Sequence, residues 1–111
     1  MKYKRGDIVW VHFPFSDASS GKVRPALIIS NDTINNTRDY LLMQVTTRLR
    51  SDSLSLLISP NHYKQAPLLK QSELRLHKIF VLNESLIASK ITSATDIFMK
   101  EVINKLVLLL S

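Results

Sequence analysis

Apolar residues run in short stretches or alternate with polar ones over most of the chain, and change to a four-residue spacing only near its end. Residues 5–15 read Arg-Gly-Asp-Ile-Val-Trp-Val-His-Phe-Pro-Phe. In an extended chain Val9, Val11 and Phe13 share one face, and Ile8, Trp10 and His12 share the other. Both faces are largely apolar, which predicts a central or barrel strand, opened by the turn signal Gly6-Asp7 and ended by Pro14. The polar segment 16–22 has the length of a hairpin connection. The run from Val23 to Ser30 follows, with four successive aliphatic residues that suit a strand covered on both faces. Residues 31–37 are a polar break, and 38–47 return to β-type content closed by Thr46-Thr47. Further strands are predicted over 53–59, 66–76, 79–82 and 86–91. In the second of these stretches Leu74 and Leu76 share a face, and Glu73, Arg75 and the following His77 share the other.

From Ala94 to Leu110 the period changes. Phe98, Val102, Leu106 and Leu110 recur every fourth residue, joined by Met99, Ile103 and Val107, which predicts an amphipathic helix. Thr95 or Ser93 can cap it, and Asp96 suits its positive end. Its last turn is apolar nearly all round, so it is expected to meet either core or a second subunit. Several short strands closed by one helix give a mainly β (α+β) fold, a small, strongly bent sheet or barrel. With 111 residues, no repeats and no linker, the expectation is a single domain over 1–111.

Composition narrows the function classes. There is no cysteine, which excludes disulfides and thiolate metal sites. No run approaches the roughly 18 apolar residues of a membrane span, and no signal-peptide core follows the N-terminus, so a cytoplasmic protein is expected. Fifteen Lys and Arg against nine Asp and Glu leave a formal charge of +6. That favours a polyanion or an acidic protein as partner. The strongest candidate for chemistry is Arg24. Pro25 biases it toward an extended backbone at a strand mouth, where a guanidinium can hold a phosphate.

Arg5-Gly-Asp-Ile-Val-Trp-Val, then Lys22-Val-Arg-Pro-Ala-Leu-Ile-Ile-Ser-Asn-Asp32, Gln44-Val-Thr-Thr47 and Ser89-Lys-Ile91 before a final helix together resemble the MazF/PemK family of toxin–antitoxin endoribonucleases. The resemblance covers nearly the whole chain in order. It implies an SH3-like β-barrel, usually dimeric, that cuts single-stranded RNA without a metal or other cofactor, and that an acidic cognate antitoxin blocks. It also implies that Arg24 is catalytic and that Thr46 ends the third strand in the site. In some branches an arginine and an aspartate of a later strand share the chemistry; the matching stretch here is Lys70-Gln71-Ser72. The strand-one position often held by aspartate is His12.

An RNA nuclease that uses the 2′-OH needs in-line geometry, stabilisation of an anionic phosphorane, and proton relays. Arg24 offers two parallel donors and Thr46 a hydroxyl on a stiff side chain. His12 is the first histidine to consider as proton carrier; a hydrogen-bonded core or groove histidine is its other reading. Ser20, Lys22, Arg48, Arg50, Lys64 and Lys70 are the expected RNA contacts. Two other functions fit the fold: a gyrase inhibitor of the CcdB type, which needs a C-terminal Trp-Gly-Ile absent here, and a non-catalytic barrel that binds RNA or protein.

Overall fold

The computed structural model describes residues 2–12 and 22–111. Among the described residues six antiparallel strands form one sheet: β1 Asp7–His12, β2 Val23–Ile28, β3 Asp39–Thr46, β4 Ser55–Ile58, β5 Ser72–Asn83 and β6 Ile87–Ser93. Their order is β4-β5-β3-β2-β1-β6. The helices are a single turn, α1 Asp32–Asn35, and the C-terminal α2 Asp96–Leu110.

The mainly β fold and the closing C-terminal helix are as the sequence predicts, and the sheet is not closed by strand pairing. The sheet has two edges, β4 and β6. Just past them an isolated bridge joins Tyr63 to Ala94. Beside it Lys64 N–H donates to the Ser93 carbonyl at 2.8 Å, and Thr95 N–H to the His62 carbonyl at 2.8 Å. The edges are therefore stapled by loop backbone rather than by a strand ladder, which blunts an otherwise exposed edge.

Three local differences have clear causes. Residues 31–37 contain a helical turn, because Asn31 Oδ1 accepts the Thr33 N–H at 3.1 Å and caps it. The stretches predicted over 66–76 and 79–82 merge into the single strand β5. It pairs with β3 on one side and β4 on the other, so the polar pair His77-Lys78 does not end it. At that pair the register changes: Val45 faces Leu74, but Met43 faces Ile79. Gln44 alone then spans Arg75 to Lys78, and the strand bends there. Finally, residues 60–62 form a 3-10 turn. Ser59 N–H donates to His62 Nδ1 at 3.0 Å, and the imidazole stacks on Phe98 at 4.1 Å.

Each face of the sheet carries its own core. One face, covered by α2, buries Ile8, Leu27, Met43, Val45, Leu74 and Leu76 against Phe98, Met99 and Val102. Burying a side chain such as Phe98 stabilises by about 1.5–3 kcal/mol. The other face buries Val9, Val11, Ala26, Ile28, Tyr40 and Leu42, with Tyr3, Phe80 and Leu86 packed on them. Strand alternation produces this split in β1, β2 and β3, and the register change in β5 moves that strand from one core, with Leu74 and Leu76, to the other, with Phe80 and Leu82. Thr95 Oγ1 caps α2 by accepting the Phe98 N–H at 3.1 Å. Past Leu106 the helix is exposed, including Val107, Leu108, Leu109 and Leu110.

Candidate active site

The register of β2 against β3 decides which residues meet. Ala26 faces Gln44 and Ile28 faces Leu42. Two residues further along the same register, Arg24 comes opposite Thr46. Both belong to the face of Ala26 and Ile28, not the face under α2. Thr46 is in turn the partner of Glu73 in β5, and Glu73 is the partner of Leu57 in β4. One row therefore crosses the sheet: Arg24, Thr46, Glu73. Adjacent strands lie about 4.8 Å apart, so the row spans about 10 Å between its outer strands. Of its members Arg24 can reach a phosphate, and Thr46 stands between it and the buried Glu73.

Arg75, on the same face of β5, extends this row. It is 8% exposed. Its Nη1 donates to Asp52 Oδ1 at 3.3 Å and Oδ2 at 3.4 Å, and also to the Ser55 hydroxyl. Asp52 also accepts from the Leu54 N–H at 3.0 Å and the Ser55 hydroxyl at 2.7 Å. The Ser55 hydroxyl first, then the Leu54 N–H and the Arg75 guanidinium, hold the Asp52 carboxyl below its ordinary range. It is an anion at neutral pH.

The turn between β3 and β4 folds back over this row. Arg48 N–H donates to Thr46 Oγ1 at 3.1 Å, and Arg50 N–H to Glu73 Oε1 at 2.7 Å. Arg48 and Arg50 themselves are exposed. Exposed Arg48 and Arg50 above a row holding exposed Arg24 make this end of the face a basic surface beside the Thr46 hydroxyl, with Arg75 paired to Asp52 and Glu73 buried. Such a surface can bind phosphates and stabilise charge that develops on them.

Other expected residues lie elsewhere. His12 is the partner of Val23, while Arg24 is the partner of Val11. His12 therefore projects from the opposite face and is not brought to Arg24 and Thr46. Lys64 is paired with Asp96 at 3.3 Å beside the start of α2, away from the row. Lys70 lines an apolar groove of about 320 Å³ with Trp10, Pro25 and Leu68, also on the opposite face. Lys22 is exposed next to β2. Ser20 lies outside the described residues. Among the described residues no group of three or more His, Cys, Asp or Glu is placed to hold a metal ion.

Sequence reasoning missed Glu73, Arg75 and Asp52. Their shared face was readable for Glu73 and Arg75; that it is the face of Arg24 was not. The Lys70-Gln71-Ser72 stretch does not supply an arginine to the site, and Arg75, a few residues on, does.

The model of the PemK-like, MazF-like toxins of type II toxin–antitoxin systems matches residues 4–110. The chain belongs to this family. Solved structures agree in fold. An endoribonuclease in complex with its cognate antitoxin, from a mycobacterial species, superposes with a TM-score of 0.78 at 20% identity, covering 97% of this chain and 94% of that one. A MazE–MazF structure from Deinococcus radiodurans gives a TM-score of 0.79 at 22% identity, covering 99% and 97%. MazF from the same organism gives 0.73 at 25% identity, covering 97% and 96%. The family assignment makes the chain the toxin of such a system. Among the described residues no helix is long and apolar enough to cross a membrane.

Proposed function

We propose that this toxin is a metal-independent endoribonuclease of the mRNA-interferase type, acting on single-stranded RNA in the cytoplasm as a homodimer. The observation that carries the reading is the row in which Arg24 and Thr46 come opposite each other, with Arg75 on the same face. The RNA supplies the nucleophile. Its 2′-oxygen attacks the adjacent phosphorus, the bond to the 5′-oxygen breaks, the 2′ proton leaves to a base, and the departing 5′-oxygen takes up a proton. A 2′,3′-cyclic phosphate and a 5′-hydroxyl result. Arg24 and Arg75 bind the non-bridging oxygens and stabilise the phosphorane's extra charge. Thr46 adds a hydroxyl donor to the same oxygens or to the leaving 5′-oxygen. No proton transfer is assigned to His12, because it projects from the other face.

The structures solved as toxin–antitoxin complexes support an antitoxin as protein partner, and the charge of this chain favours an acidic one. A chain of net charge +6 with exposed arginines above the row would attract an acidic segment as well as RNA. A CcdB-type gyrase inhibitor and a non-catalytic barrel are less well supported, since neither accounts for a hydroxyl placed between two guanidinium-bearing strands.

The test is cleavage in EDTA. The purified full chain is incubated with a long single-stranded RNA beside Arg24→Ala, and the ends are mapped. Discrete cuts with cyclic phosphate ends, absent in the variant, are expected. Intact RNA across varied sequences would overturn the reading.

A further inference from the structure

Glu73 is a carboxylate buried to 2% exposure beneath a turn that carries the exposed Arg48 and Arg50. Burying a charge is costly unless it is hydrogen-bonded, so its position calls for a reason. Its Oε1 accepts the Arg50 N–H at 2.7 Å, and Ser51, the next residue, has a φ of +51°. A non-glycine residue in the left-handed region is held there only when the surroundings over-determine it. They do so here from both ends. Thr46 holds the Arg48 N–H, Glu73 holds the Arg50 N–H, and Asp52 is tied to Arg75. The basic side chains of this braced turn, Arg48 and Arg50, are both exposed, as is Leu49 between them.

The geometry points to Glu73 as a positioning residue: through the Arg50 N–H it fixes the turn at Arg50, so that the Arg50 side chain is presented to RNA phosphates above the Arg24–Thr46 row. The carboxylate acts on the turn's backbone, not on the substrate. This rests on the ribonuclease reading and deepens it, because it assigns part of RNA binding to a group that RNA does not touch.

The experiment measures binding of a mixed-sequence 2′-O-methyl RNA, which cannot be cleaved through the 2′-oxygen, over a range of salt concentrations. It uses the full chain, Glu73→Ala, Glu73→Gln, Arg50→Ala and the double variant Glu73→Ala/Arg50→Ala. Glu73→Ala is expected to weaken binding about tenfold. It is also expected to lower the slope of log K against log salt by about 0.7 for each single-strand phosphate that is no longer neutralised. Glu73→Gln restores both, since an amide oxygen accepts the same N–H. The double variant binds no more weakly than Arg50→Ala, because both changes act on the same arginine–phosphate interaction. If Glu73→Ala does not fold, Glu73→Asp carries the test: it keeps the charge, shortens the reach, and is expected to lower the slope. An unchanged slope in Glu73→Ala, or in Glu73→Asp where that variant carries the test, or effects of Glu73→Ala and Arg50→Ala that simply add, would overturn the positioning role. A wild-type protein with no affinity for this RNA would instead remove the ribonuclease reading and this proposal with it.

Discussion

Two buried carboxylates, Asp7 and Glu73, sit at similar depth and have different roles. Asp7 is 3% exposed at the start of β1. It accepts the Lys4 N–H at 3.1 Å and the Ser93 hydroxyl at 3.1 Å, and pairs with Lys90 at 3.4 Å. Every one of these partners belongs to the elements Asp7 joins, the N-terminal turn and β6. Its interactions therefore begin and end in the fold. Glu73 reaches instead into a turn whose side chains are exposed and basic. The contrast shows how burial alone misleads: a buried charge marks either a seam in the fold or a brace behind a surface that binds something, and the destination of its hydrogen bonds tells which.

The sharpest way to test this contrast is on the row itself. Arg24→Ala is expected to lower cleavage by about 10²–10³-fold with an unchanged thermal melt, since Arg24 is exposed and outside both cores. A cleaving variant would remove it from the chemistry. Thr46→Val keeps the shape and deletes one donor, so a loss of about tenfold is expected, the value of one hydrogen bond in the transition state. Cleavage at the wild-type rate would make Thr46 a brace for Arg48 only.

Asp7→Ala should show the opposite pattern. It removes a charged acceptor and strands its donors, costing about 2–3 kcal/mol. Denaturant unfolding would register this, while cleavage per folded molecule stays the same. If activity fell and stability did not, the division between the two carboxylates would be wrong.

A smaller effect comes from pH. The Asp52 carboxyl is held low when folded, by Ser55 first, then the Leu54 N–H and Arg75. Its contribution to stability is therefore fully present above the ordinary carboxylate pKa of about 3.9 and lost as pH falls through the lower folded value. Thermal melts of Asp52→Asn and wild type should differ at neutral pH and converge below that range. A constant difference across acid pH would mean that the charge on Asp52 contributes nothing. The smallest change expected is at Arg38, which has a φ of +73° just after α1. Arg38→Gly relieves that conformation and is expected to stabilise by up to about 1 kcal/mol. A lower melting temperature would show that the arginine side chain matters more than its backbone.

Much of this molecule was legible along the chain. The apolar runs marked β1 to β4 and β6. The four-residue spacing of Phe98, Val102 and Leu106 marked α2, and Thr95 its cap. Arg24 before Pro25 and Thr46 at a strand end were identifiable as candidates, because local residue types carry that information. The pattern also put Glu73 and Arg75 on one face, opposite Leu74 and Leu76. What it could not supply was the alignment of one strand on another. Facing depends on register, and a one-residue slip turns every side chain of a strand to the other side. Register placed Val11, not His12, beside Arg24, and so separated the histidine from the arginine it was expected to serve. The shift of pairing around Gln44 likewise kept Glu73 opposite Thr46. The sheet's two edges, stapled by Tyr63 and Ala94 instead of closed, follow from pairing between segments some thirty residues apart. Residue types thus determined the elements and the side chains available for chemistry, and long-range pairing alone decided which of those side chains share a surface.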